Sequence, residues 1–105
     1  MNQLDKDIYE LKEEKKVLQS LERLLHNSDF KKVIMDDFLT KHPLTLVLSK
    51  GQLLLDPQTN KDIDRQLDSA ALFKLYLDKR ISRIADIDLL ISDAETLRDE
   101  QTRNI

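Results

Sequence analysis

The sequence predicts an all-α protein, built as a helical hairpin or small bundle around one long C-terminal helix. Leucines recur at every seventh residue near the N-terminus, at Leu4, Leu11, Leu18 and Leu25. A second apolar series steps by three or four residues from Ile63 to Leu97, which is the spacing of a packed helical seam. Only one glycine and two prolines interrupt the 105 residues. We therefore predict a single helical domain over residues 1–105.

The composition restricts the classes of function. Without cysteine, the chain has no disulfides, thiolate metal ligands or catalytic thiols. A net charge of −3 disfavours duplex nucleic acid and anionic membranes as main partners, since both select a basic surface. The polar start of the sequence is unlike a signal peptide, and no apolar run approaches the roughly 18 residues of a membrane span. We expect a protein of the cytosol.

The first predicted helix covers residues 2–26. Its leucine column is supported by Ile8, but Lys15 and Glu22 stand where Ile8 would repeat, so a simple two-stranded zipper would be weak there. After this helix, Asn27, Ser28 and Asp29 are all good N-cap residues.

Residues 29–55 form a short apolar middle segment. Phe30, Val33, Ile34, Phe38 and Leu39 share one face of an expected α-helix, which Pro43 should end near Thr40 or Lys41. Residues 44–55 fit either a hairpin about Gly51 or a third short helix, and we favour the helix because an isolated hairpin is only marginally stable. As the most apolar stretch of the chain, this region should be buried.

The long C-terminal helix is predicted over residues 57–103. Pro57 suits the first helical position, and Thr59 and Asp62 have the spacing of a capping box. Between Ala70 and Leu77 apolar residues occupy most of the helix circumference, so neighbouring elements should enclose this part. The expected core residues are Leu21, Leu25, Phe30, Ile34, Phe38, Leu46, Leu67, Phe73 and Leu77.

The sequence does not indicate any catalytic, cofactor-binding or metal-binding residues. His26 and His42 are the only histidines, and neither has a second ligand at a spacing that defines a metal site. Asp36 and Asp37 could be drawn with His42 as an acid-base group, but adjacent carboxylates on a helix point in different directions. We therefore expect no enzymatic activity. The best candidate contact for nucleic acid is the basic cluster of Lys79, Arg80 and Arg83, although we favour the solvated surface of a helix as its explanation.

The order of three segments resembles small helical proteins encoded among the structural genes of tailed bacteriophages. The resemblance is carried by the run from Leu24 to Phe38, by Leu44 to Val47, and by Asp62 to Leu77. It implies a virion component or assembly factor, located in the virion or the host cytoplasm.

From these features we predict a non-enzymatic phage structural or assembly protein that acts through helical protein–protein contacts. The alternative is a coiled-coil adaptor or regulator of a host or phage protein, and a minor nucleic-acid accessory protein is a third reading. The expected partners are other copies of the chain, in a homo-oligomer, or a larger phage structural protein. The predicted interaction residues are the apolar positions Leu4, Leu11, Leu18, Ile84, Ile87, Ile91 and Leu97.

Overall fold

The computed structural model describes residues 2–52 and 56–103, and nearly all of them are helical, without a strand among them. The elements in order are α1 (Gln3–Leu25), α2 (Ser28–Phe30), a π-helical segment (Lys31–Lys41), α3 (His42–Lys50) and α4 (Pro57–Arg103). The all-α prediction is confirmed, including the N-terminal helix and the long C-terminal helix.

Capping side chains fix where the helices begin. Asn2 accepts a hydrogen bond from the backbone N–H of Asp5 at 2.8 Å at the start of α1. Of the three predicted caps before α2, Asn27 is the one used, since its Oδ1 accepts from the N–H of Phe30 at 2.9 Å. Each bond satisfies an amide that has no partner within its own helix.

Asp56 caps α4 in place of the capping box predicted at Thr59 and Asp62. One carboxylate oxygen of Asp56 accepts from the N–H of Thr59 and the other from its hydroxyl, both at 2.8 Å. These bonds favour the charged carboxylate and lower the pKa of Asp56 below its ordinary value, the backbone bond having the larger effect. Pro57 follows at the first helical position, as predicted.

The segment Lys31–Lys41 is π-helical, whereas the sequence predicted an α-helix. The N–H of His42 bonds to the carbonyl of Asp37, five residues earlier, and the Thr40 hydroxyl reaches the Met35 carbonyl at 2.8 Å. With hydrogen bonds spaced by five residues, side chains no longer align by the α-helical period. Accordingly Val33, expected on the inner face, is 57% exposed.

Pro43 does not end the helical run. The π-helical hydrogen bonding stops at Lys41, near the predicted boundary, but α3 continues directly from His42 with Pro43 in its first turn. A proline is tolerated there because the N–H that it lacks is least needed in the first turn of a helix. The helical alternative for residues 44–55 is thus confirmed as far as Lys50, while Leu53–Leu55 lie outside the described residues.

The chain divides into two compact units, which we describe separately. The first, the hairpin unit, contains α1 as far as Arg23 and α4 from Lys79 onward. The second, the middle unit, comprises Leu24–Asp78.

In the middle unit, α4 buries every seventh residue at Ile63, Ala70 and Leu77. Phe38 meets Phe73 edge to face, with ring centroids 6.0 Å apart, a favourable aromatic geometry. Of the predicted core, Leu21 (in the hairpin unit) and Leu77 are buried, and the others are only partly buried. The expected single core is therefore smaller and more open than the sequence suggested.

Candidate functional site: exposed apolar faces

The hairpin unit encloses most of the apolar residues predicted to bind a partner. Leu18, Ile87 and Ile91 form a buried cluster, against which Leu11 and Ile84 pack with partial exposure. Leu4 is partly buried, and Leu97 is 46% exposed. A buried side chain cannot contact a second molecule while this packing lasts. Packing within one chain therefore accounts for Leu11 and Leu18 among the heptad leucines and for Ile84, Ile87 and Ile91 on α4.

Charged pairs across this hairpin show that the two helix segments run antiparallel. Asp5 lies 3.8 Å from Arg98 and Lys15 lies 2.6 Å from Asp88, so the order along α4 reverses the order along α1. A third pair joins Lys12 and Glu95 at 3.8 Å. The charges that flank the seam are complementary and help to set its register.

Glu14 forms ion pairs with two of the three residues proposed to contact nucleic acid. Arg83 donates from Nε and Nη2 to the two carboxylate oxygens of Glu14 at 2.9 and 3.0 Å, and this bidentate bond raises the pKa of Arg83. Arg80 lies 3.5 Å from the same carboxylate, whereas Lys79 is exposed. Glu14 offsets the positive charge that phosphate binding needs, which argues against this cluster as a nucleic-acid site.

The α3 face is an apolar surface that the sequence predicted to be buried. It consists of Leu44, Val47 and Leu48, which are 59%, 51% and 68% exposed. Their spacing of three and four residues places them together on the side opposite Leu46, which is partly buried. The sequence shows the same spacing. Because α3 has apolar residues on both of its sides, the spacing alone could not show which side would pack against α4.

The α4 face is the second such surface, formed by Leu72, Leu75 and Tyr76 at 67%, 50% and 49% exposure. The predicted enclosure of Ala70 to Leu77 is therefore wrong for half of the helix circumference. Leu72 follows the buried Ala70 by two residues, about 200° around the helix axis. The α4 face thus lies on the opposite side from the residues that α4 buries.

The polar side chains of the middle unit make structural contacts. Nε2 of His42 lies 3.4 Å from the Gln66 side-chain oxygen, and the Lys50 ammonium pairs with the Asp64 carboxylate. Both contacts attach α3 to α4. Within residues 2–52 and 56–103, no group of three or more histidine or acidic side chains is placed to hold a metal ion.

No helix within the described part of the chain is both long enough and apolar enough to cross a membrane. The chain matches no protein-family model, no curated protein and no solved structure.

Proposed function

We propose that this chain is a non-enzymatic association module that attaches to a larger protein through the α3 face. The observation that carries the proposal is the exposure of Leu44, Val47 and Leu48 on a helix that the rest of the middle unit holds in place. Apolar anchors spaced by three and four residues are how an amphipathic helix lies in an apolar groove of its partner. The sequence resemblance to phage structural-gene products supports a larger protein of an assembling virion as that partner.

The energetic argument rests on the apolar surface that these three side chains would bury when the partner docks. Complete burial of a leucine or valine side chain contributes about 1.5–3 kcal/mol relative to full exposure, and these three begin more than half exposed. Docking therefore gains apolar burial without breaking the contacts of α3 with α4. The gain is partly offset by the loss of translational and rotational freedom on association.

The test combines localisation with a surface variant. Mass spectrometry of purified virions from the source phage should find the chain, whereas a soluble complex with a single protein, absent from virions, would favour the adaptor alternative.

The variant Leu44→Ser/Leu48→Ser should lose the partner while circular dichroism shows unchanged helix. Leu89→Ser is the matched control, because Leu89 is 65% exposed in the hairpin unit. Retained binding by the double variant, at wild-type affinity, would contradict the role of the α3 face.

A further inference from the structure

The α3 face and the α4 face carry the same arrangement of apolar side chains. In each, a leucine is followed by apolar residues three and four positions later, as Leu44, Val47 and Leu48 on α3 and as Leu72, Leu75 and Tyr76 on α4. Both faces lie within the middle unit, and all six side chains are about half exposed or more. Helical surfaces of equal spacing can interdigitate along their whole length.

Within one chain, the α3 face and the α4 face are directed away from each other. His42 and Lys50 contact α4, and they stand two residues before Leu44 and two residues after Leu48. Each is therefore about 200° around the α3 axis from its leucine. The α4 face likewise lies opposite the residues that α4 buries. A chain cannot cover its α4 face with its own α3 face, whereas a second copy can.

We propose that a second copy of this chain packs its α3 face in parallel along the α4 face of the first copy. Three apolar contacts form across this interface, namely Leu44 with Leu72, Leu48 with Leu75, and Val47 with Tyr76. Burial of these side chains supplies the attraction. The contacts between α3 and α4 within each chain stay in place, because they use the other side of each helix.

Charged residues beside the two faces select the parallel orientation. Lys41 precedes Leu44 by one helical turn and Asp68 precedes Leu72 by one turn, and both charges are exposed. In the parallel orientation they lie on the same flank of the interface. In the antiparallel orientation Asp68 would instead lie near the uncharged Gln52, beyond the end of α3. Only the parallel orientation therefore pairs these charges, and such complementarity fixes the register of an interface.

The next charges towards the N-terminal ends of the two helices are again opposite in sign. Arg65 lies on the same side of α4 as Asp68, and Asp37 is the charged residue that precedes Lys41. Both are exposed. Arg65 is 3.7 Å from Asp62 of its own helix, and the five N–H donors of a guanidinium allow it to bind a second carboxylate as well.

An interface between two different faces leaves one face of each kind free at the ends of the pair. Further copies can add there, so association continues into an open series unless the rotation between copies closes a ring. A symmetric dimer, by contrast, would use the same face of both copies and stop at two.

This inference goes beyond the proposed function but shares the α3 face with it. In an open series only the terminal copy keeps a free α3 face, and the larger protein docks there. The two claims can fail separately. A wild-type chain that binds the larger protein without associating with itself would overturn only the series. A chain that associates with itself but binds no larger protein would overturn only the proposed function.

The first experiment is sedimentation equilibrium of the full-length chain and two serine variants, with circular dichroism as the check on helix content. The wild-type mass should rise with concentration beyond that of a dimer. Leu44→Ser/Leu48→Ser and Leu72→Ser/Leu75→Ser should each be monomeric alone. Their equimolar mixture should give a dimer that does not grow, because each variant retains the face that the other lacks. A mixture that stays monomeric, or a wild-type chain that is monomeric at millimolar concentration, would overturn the proposal.

The second experiment tests the orientation with variants that keep every apolar side chain. Lys41→Asp or Asp68→Lys should each weaken self-association about fivefold, because one exposed ion pair at each interface becomes repulsive. The combined variant Lys41→Asp/Asp68→Lys should restore it. Lys74→Asp is the matched control, since Lys74 follows Leu72 by two residues and lies on the opposite side of α4. Failure of the combined variant to recover would overturn the parallel register.

Discussion

At the scale of single residues, Leu18 is the most deeply buried side chain of the hairpin unit, with only 1% of its surface exposed. It packs against Ile87 and Ile91. Leu18→Ala should destabilise the protein by about 2–5 kcal/mol, since it removes buried methyl groups and leaves a cavity. Chemical denaturation measures this loss. Leu89→Ala, an equal truncation at a position 65% exposed, should change stability by no more than about 0.5 kcal/mol. Equal losses for the two variants would mean that the packed side of α4 has been misassigned.

Asp56 links the stability of α4 to pH. Because the folded-state pKa of Asp56 is lowered by its bonds to Thr59, its stabilising contribution is present above the unfolded-state pKa and is lost as the pH falls through the lower folded value. Asparagine also caps helices, but its side chain neither gains nor loses a proton in the acidic range. The melting temperature of the wild type should therefore fall relative to that of Asp56→Asn as the pH is lowered below about 4. A constant difference between the two proteins from pH 6 to pH 2 would contradict the assignment.

At the scale of helices, the bidentate pair of Glu14 and Arg83 joins α1 to α4 in the hairpin unit. A double-mutant cycle with Glu14→Gln and Arg83→Gln should give a coupling free energy of about 0.5–1 kcal/mol, because the arginine side chain is 39% exposed and solvent screens the pair. The coupling should shrink between 0.05 and 1 M salt. Lys6 and Glu10, whose exposed charges are 4.0 Å apart within α1, are the control and should couple more weakly. No coupling at low salt would show that the contact does not stabilise the hairpin.

The helices themselves were predictable because the signals that start and stop them are local. Asn27 and Pro57 mark their helix starts by chemistry that acts over three or four residues. The π-helical segment was not predictable, since bonds to the fifth residue and bonds to the fourth use the same backbone groups and leave no distinct residue pattern.

The candidate surfaces were missed for a related reason. The heptad leucines were placed on a helical stripe that faces the long C-terminal helix as well as copies or partners, but the sequence could not show how much of this stripe the same chain covers. The sequence analysis expected four exposed leucines to be buried, namely Leu44, Leu48, Leu72 and Leu75. Hydrophobic periodicity identifies the apolar side of a helix but not the element that packs against it. Tertiary packing makes that choice, through residues far apart in the sequence.

At the scale of the whole molecule, the division into two units predicts two separately protected regions. Hydrogen exchange followed by mass spectrometry should show that Leu18→Ala accelerates exchange mainly in the hairpin unit, because Leu18 packs within that unit. Leu77→Ala should act mainly on Leu24–Asp78, where Leu77 is 4% exposed. Equal acceleration of both regions by both variants would instead show one cooperative unit.

The exposed α3 face also bears on the isolated chain, because Leu44, Val47 and Leu48 remain more than half exposed until a partner covers them. Contiguous exposed apolar side chains favour nonspecific association between molecules. Leu44→Ser/Leu48→Ser should therefore raise the solubility of the isolated chain, measured by light scattering at increasing concentration.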